Sequence, residues 1–99
     1  MQTYNIDSVQ VTYDTWLIGF DEKQNITDYE VFLNSASTKE DGIKFASSLD
    51  KAKLKLREDL PDNVSTLALV VETVGMDVDA CVAVNVANVY EELIEVKNN

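Results

Sequence analysis

The residues of this chain that could do chemistry are nearly all carboxylates, because it has 18 acids, one cysteine and no histidine. Without histidine it lacks the commonest general base near neutral pH and the commonest transition-metal ligand. With Cys81 alone, zinc sites and histidine-dependent nucleophilic sites are excluded. Its three glycines are not spaced as in a phosphate-binding loop. We therefore predict a protein that is not an enzyme and that uses no cofactor.

Two pairs of acids lie close enough in the sequence to approach one cation. Asp77 and Asp79 flank a single residue in a predicted turn, and Asp21 precedes Glu22 in a predicted hairpin loop. A calcium-binding loop needs further acids at fixed offsets that end in glutamate, and residues 81–89 supply none. Both pairs are therefore interpreted as ordinary turn residues, and no metal site is predicted.

The size and composition indicate one globular domain. The chain has 99 residues, of which 45% are hydrophobic and 26% charged, and such a chain can bury one core without metals or disulfides. The single cysteine suits a reducing compartment. The first ten residues do not resemble a signal peptide, and no apolar run approaches the ~18 residues of a membrane-spanning helix. The expected location is the cytoplasm.

The negative charge is unevenly distributed along the chain. The formal net charge is -10, made up of -5 in residues 1–36, +1 in residues 37–60 and -6 in residues 61–99. This acidity disfavours direct nucleic-acid binding and binding to an anionic membrane, since both need a basic surface. It favours a basic partner, including proteins that themselves bind nucleic acid.

The N-terminal third predicts an antiparallel hairpin. Residues 9–20 and 26–33 are rich in β-branched and aromatic residues that alternate with polar ones, and residues 21–25 form a polar loop of hairpin length. The alternation slips at residues 14–15, which indicates a bulge.

The middle of the chain predicts one long helix that ends at Pro61. Thr38 and Asp41 approximate a capping box at its start. The helical spacing continues through a single apolar stripe, namely Phe45, Leu49, Ala52, Leu56 and Leu60. Residues 52–57 also alternate with a period of two, so a short strand is the competing interpretation.

The C-terminal third predicts two more strands, at residues 66–74 and 80–90, joined by a turn at residues 75–79. The expected fold class is α+β: a single domain over residues 1–99 in the order ββαββ, with a four-stranded antiparallel sheet and one long helix packed on one face. Both of these strands are apolar on both faces, so the uncovered face of the sheet is expected to contact another molecule.

Candidate partner-binding residues are acids in the predicted strands and loops, together with two tyrosines that lie beside acids. Trp16, Phe20 and Phe45 are instead expected in the core. The predicted partner-binding set is Asp14, Asp21, Glu22, Asp28, Tyr29, Glu30, Asp77, Asp79, Tyr90, Glu91, Glu92 and Glu95.

Two functions fit these features. In the first, the protein binds a basic protein surface; its sharpest form is a nucleic-acid mimic, comparable in size and charge to the small acidic inhibitors carried by phages and mobile elements. The alternative is a homo-oligomeric structural or assembly module, such as a homodimer through the sheet, that associates through residues 66–74 and 80–90.

Overall fold

Four antiparallel strands form one sheet in the spatial order β2-β1-β3-β4. The computed structural model describes residues 9–77 and 82–96, and the side chains of residues 10–77 and 86–96. The elements along the chain are β1 (Val9–Phe20), β2 (Ile26–Ala36), α1 (Lys39–Ser48), α2 (Lys51–Leu54), β3 (Thr66–Asp77) and β4 (Val82–Glu95). The predicted α+β class and the four-stranded antiparallel sheet are confirmed. Asp79, one of the predicted partner-binding residues, and Cys81 lie outside the described residues.

The strands begin close to where the alternation predicts, but three of them run further. β2 continues to Ala36, β3 to Asp77 and β4 to Glu95. The register between β1 and β2 shifts between Thr15 and Trp16, next to the predicted bulge. The added residues of β4 include Glu92, which pairs with Lys51 of α2, and Ile94, which is buried in the core.

The prediction of one long helix is wrong, because the chain turns sharply between α1 and α2. Leu49 has the extended angles φ -68 and ψ 142. Asp50 then begins the second helix, since its carboxylate accepts a hydrogen bond from the Ala52 backbone N–H at 3.0 Å. Lys51 Nζ donates to the carbonyl oxygens of Ala46 at 3.2 Å and Leu49 at 2.9 Å, which stabilises the end of α1.

This break divides the predicted apolar stripe. Leu54 is buried, whereas Leu56 lies beyond α2 and is 79% exposed. Residues 55–65 form turns, so the competing strand at residues 52–57 is also wrong. Among the described residues, neither helix has the length and apolar content needed to cross a membrane.

One side of the sheet, called the helix side below, packs against the helices and contains the core. Leu17, Leu67, Leu69 and Val71 are fully buried there. Gly42 of α1 allows the close approach, because a Cβ at this position would lie 3.0 Å from Tyr13 Cβ and 3.3 Å from Val71 Cγ1. The opposite side, called the open face below, packs against neither of the two helices in the described part of the chain.

A hydrogen-bonded group fastens the loop after α2 to the helix side. The Tyr29 hydroxyl donates to Asp59 Oδ1 at 2.8 Å, and Arg57 Nε donates to Tyr29 Oη at 3.0 Å and to Asp59 Oδ1 at 3.0 Å. Burial, and then the bond to Asp59, raise the pKa of Tyr29. The hydrogen bond from Arg57 lowers the pKa of Asp59.

Replacing Thr15 by valine is expected to stabilise the protein by about 1 kcal/mol, because the substitution removes a buried polar atom that has no partner. Thr15 is fully buried and its Oγ1 makes no hydrogen bond. Urea denaturation of Thr15→Val measures the change in the free energy of unfolding. The control is Thr38→Val at an exposed position. It should destabilise the protein, because Thr38 Oγ1 accepts the N-cap hydrogen bond from the Asp41 backbone N–H. A loss of stability in Thr15→Val would contradict this explanation, because it would mean that the buried hydroxyl makes a hydrogen bond.

Candidate functional site

The register of the strands determines which residues share the open face, because directly opposed residues point to the same side of a sheet. Four rows, each with one residue per strand, cross this face. In the order β2, β1, β3, β4 they are Ser35–Asp14–Glu72–Asn88, Phe32–Trp16–Val70–Glu91, Glu30–Ile18–Ala68–Leu93 and Ile26–Phe20–Thr66–Glu95.

The two central rows contain an apolar strip, defined as Phe32, Trp16, Val70, Ile18, Ala68 and Leu93. The small residues Ala68 and Val70 are buried between larger neighbours, whereas Phe32 is 52% exposed and Leu93 is 65% exposed. The rings of Trp16 and Phe32 meet edge to face, with centroids 5.2 Å apart and an interplanar angle of 66°. The strip therefore presents aromatic and aliphatic surface on the side of the sheet that α1 and α2 do not cover.

Carboxylates surround this strip and are called the acidic rim: Asp14, Glu30, Glu72, Glu91 and Glu95. Asp14 lies directly opposite Glu72 on the neighbouring strand. Like charges in such a pair destabilise a sheet. Ser35 Oγ donates to Asp14 Oδ1 at 2.7 Å, which helps to hold that carboxylate in place.

Glu72 is the most perturbed member of the rim. Burial raises its pKa first, and the charges of Asp14 and Glu30 raise it further. The indole N–H of Trp16 acts in the opposite direction and favours the charged carboxylate, although Trp16 Nε1 is buried and makes no hydrogen bond of good geometry. Ionisation of Glu72 is thus less favourable in the folded protein than in the unfolded chain.

Glu72→Gln is expected to stabilise the protein at pH 7, by roughly 0.5 kcal/mol, because it removes the unfavourable charge opposite Asp14. The folded-state pKa of Glu72 is raised, so the folded state binds its proton more tightly than the unfolded state. Wild-type stability should therefore fall as the pH rises from the ordinary glutamate range through the raised pKa.

Urea titrations between pH 4 and pH 8 measure this effect, and Glu58→Gln, at an exposed position outside the sheet, is the matched control. The free energy of unfolding of Glu72→Gln should exceed that of wild type by more as the pH rises. The control should show no such difference. A gain that does not change with pH would contradict the charge explanation.

No described strand carries a basic residue. The acids within the four strands are Asp14, Asp28, Glu30, Glu72, Asp77, Glu91, Glu92 and Glu95. Six of the eight bases lie instead between residues 39 and 57, in or after the helices. On the helix side, Lys51 Nζ lies 3.2 Å from Glu92 Oε2 and Arg57 Nε lies 3.0 Å from Asp59 Oδ1. Charge on the helix side is thus partly neutralised within the chain, whereas no carboxylate of the acidic rim forms an ion pair with a base of the described residues.

A groove of about 660 Å³ continues the open face at the end formed by Thr66 and Glu95, beside the β1–β2 turn. Asp21 and Glu22 of the turn and Glu95 of β4 contribute carboxylates to its lining. Asp21 also shapes the turn, because its Oδ1 accepts from the backbone N–H groups of Lys23 and Asn25, both at 2.9 Å.

The structure divides the predicted partner-binding residues. Asp14, Glu30 and Glu91 lie on the open face, and Asp21, Glu22 and Glu95 line the adjoining groove. Asp28 is exposed on β2, and Asp77 is the last residue of β3. Tyr29, Tyr90 and Glu92 lie on the helix side, where Tyr29 belongs to the core, Tyr90 packs against the core and Glu92 pairs with Lys51.

The prediction missed several residues of this face, among them Trp16, Phe32 and Glu72. Trp16 and Phe20 were expected in the core, but both are partly exposed on the open face, where Trp16 lies beside Phe32. Glu72 was not in the predicted partner-binding set, although it is the single acid of residues 66–74. The alternation that places it on the same face as Val70 was the signal that could have identified it.

Within residues 9–77 and 82–96, no three acids or cysteines are grouped so that they could hold a metal ion. A scan against protein-family models found no match to this chain. Searches of the curated proteins and of the solved structures likewise found no match. The candidate function is therefore argued from the geometry and charge of the open face.

Proposed function

We propose that this protein is a non-enzymatic binding protein that docks the open face of its sheet onto a basic surface of a partner protein. The observation that carries the proposal is the combination of the exposed apolar strip with an acidic rim that no strand base neutralises. Exposed aromatic residues in such a strip provide binding energy when a partner covers them. The rim provides long-range attraction and selects partners of opposite charge.

The narrower form of the proposal is nucleic-acid mimicry. Carboxylates on the open face and in the adjoining groove, among them Glu30, Glu91 and Glu95, would occupy positions that phosphates take on the partner. A partner bound in this way should release the protein when short duplex DNA or RNA is added, because both ligands compete for one basic groove. Binding that nucleic acid does not affect would contradict mimicry and would indicate a basic partner of another kind.

Homo-oligomerisation is the second candidate, and the exposed Ile26, Phe32 and Leu93 on the open face favour it. Two open faces packed together would, however, bring two acidic rims into one interface that has no base from the strands. We therefore expect a monomer at neutral pH and low salt. Sedimentation equilibrium measures this directly, and a stable dimer that persists at low salt would support the alternative.

The test of the main proposal is differential capture from the lysate of the native host. Wild-type protein is immobilised beside a Glu30→Gln/Glu91→Gln variant of the open face and a Glu40→Gln/Glu58→Gln variant, whose exposed acids lie outside the sheet. The two variants have the same net charge. Captured proteins are identified by mass spectrometry, then purified and titrated against all three chains.

We expect a basic protein that wild type and the Glu40→Gln/Glu58→Gln variant retain, that the open-face variant loses, and that elutes as salt rises. Equal retention by all three chains, or binding that does not change with salt, would contradict it.

A further inference from the structure

We infer that the Trp16–Phe32 part of the open face receives an arginine side chain of the partner rather than a lysine. This inference rests on the proposed function and names the chemistry of the contact. It starts from two features that coincide in space: an edge-to-face aromatic pair with one half-exposed ring, and carboxylates in the rows on both sides of it.

The arrangement of the rows brings both kinds of group within reach of one cation. Asp14 and Glu72 occupy the row on one side of Trp16, and Glu30 occupies the row on the other side. Residues two positions apart along a strand are separated by about 7 Å, so carboxylates flank the aromatic pair at side-chain distances. A cation placed over the rings therefore meets negative charge on both sides.

Arginine fits this arrangement better than lysine does. Its guanidinium is planar and weakly hydrated, stacks on aromatic faces, and donates paired hydrogen bonds to carboxylates. A lysine ammonium is compact and strongly hydrated, and it gains less from an apolar, aromatic surface. The partly buried Trp16 and the apolar neighbours Ile18 and Val70 make this surface poorly suited to a hydrated ion.

The state of Glu72 supports the same conclusion. In the isolated protein its carboxylate is partly buried near two other carboxylates, Asp14 and Glu30. Groups that cost stability in the absence of a ligand are typical of functional sites. A bound guanidinium would relieve the repulsion among these three acids. Its N–H groups would also donate hydrogen bonds to Glu72 in place of the water that burial removes.

The experiment compares acetylated, amidated peptides of nine arginines and of nine lysines by calorimetric titration of the full chain at low salt. The single tryptophan, Trp16, provides a fluorescence signal from the site itself. We expect the arginine peptide to bind at least roughly fivefold more tightly than the lysine peptide and to change the Trp16 emission. The ratio of the two affinities should fall towards one in Phe32→Leu, which changes a half-exposed position, and in Trp16→Leu.

Equal affinity for the two peptides, or an arginine preference that survives in Phe32→Leu, would overturn the inference. Either result would leave the proposed function intact if the host partner is still lost from the Glu30→Gln/Glu91→Gln variant. The opposite outcome is also possible: the arginine preference depends on Phe32, but no host protein binds wild type better than the Glu30→Gln/Glu91→Gln variant. That outcome would contradict the proposed function alone.

Discussion

The double variant Glu30→Lys/Glu91→Lys is expected to bind the nine-arginine peptide at least about 100-fold more weakly than the wild type at moderate salt, about 0.1 M. Close charge pairs across an interface couple by roughly 1.5–7 kcal/mol, so reversing two of them removes attraction and adds repulsion. Glu30 and Glu91 lie at opposite edges of the two central rows, and both side chains are exposed. Their replacement should therefore change binding without changing the fold.

The matched control for this prediction is Glu40→Lys/Glu58→Lys, which changes the net charge by the same amount at exposed positions outside the sheet. Calorimetric titration should show that the control loses only a small part of the affinity, since exposed charges more than about 10 Å apart are largely screened at moderate salt. If the two variants lost affinity equally, binding would depend on total charge and not on the open face.

Leu69→Ala is expected to destabilise the protein by about 3 kcal/mol, whereas Leu93→Ala should change stability by less than about 0.5 kcal/mol. Both leucines lie in adjacent strands, but Leu69 is fully buried against the helices and Leu93 is 65% exposed on the open face. Removing the Leu69 side chain leaves a cavity, while removing that of Leu93 deletes surface that only a bound partner would cover.

Urea denaturation at several protein concentrations measures both changes, and an unchanged denaturant slope indicates that the unfolded states are comparable. A cost for Leu93→Ala that approaches that of Leu69→Ala, and that grows with protein concentration, would mean that a second copy covers the open face in solution. That result would favour the homo-oligomeric alternative.

The strands were predictable because alternation and β-branched residues act locally, at the level of a few neighbouring side chains. The break between the helices was not predicted, although Asp50 is a good N-cap residue, because the apolar spacing from Leu49 to Leu56 continues across it. The decisive interactions are those of Lys51 with carbonyl groups at the end of α1. Such contacts form only after the chain has turned.

The candidate site was only partly predictable for a different reason. Alternation separates Trp16 from Leu17, but it does not say which of the two faces the helices will cover when both are apolar. The structure places Leu17 against the core and leaves Trp16 on the open face. Tyr29 was predicted to bind a partner, yet it faces the helix side, where Arg57 and Asp59 satisfy its hydroxyl.

The most direct test of the central claim, that a basic partner covers the open face, is quenching of Trp16 fluorescence by acrylamide with and without saturating nine-arginine peptide. Trp16 is the only tryptophan and lies in the apolar strip, so its access to the quencher reports on that surface alone. The account predicts that bound peptide lowers the quenching constant and that added salt restores it. An unchanged quenching constant at saturation, with calorimetry showing the peptide bound, would place the contact elsewhere and contradict the account.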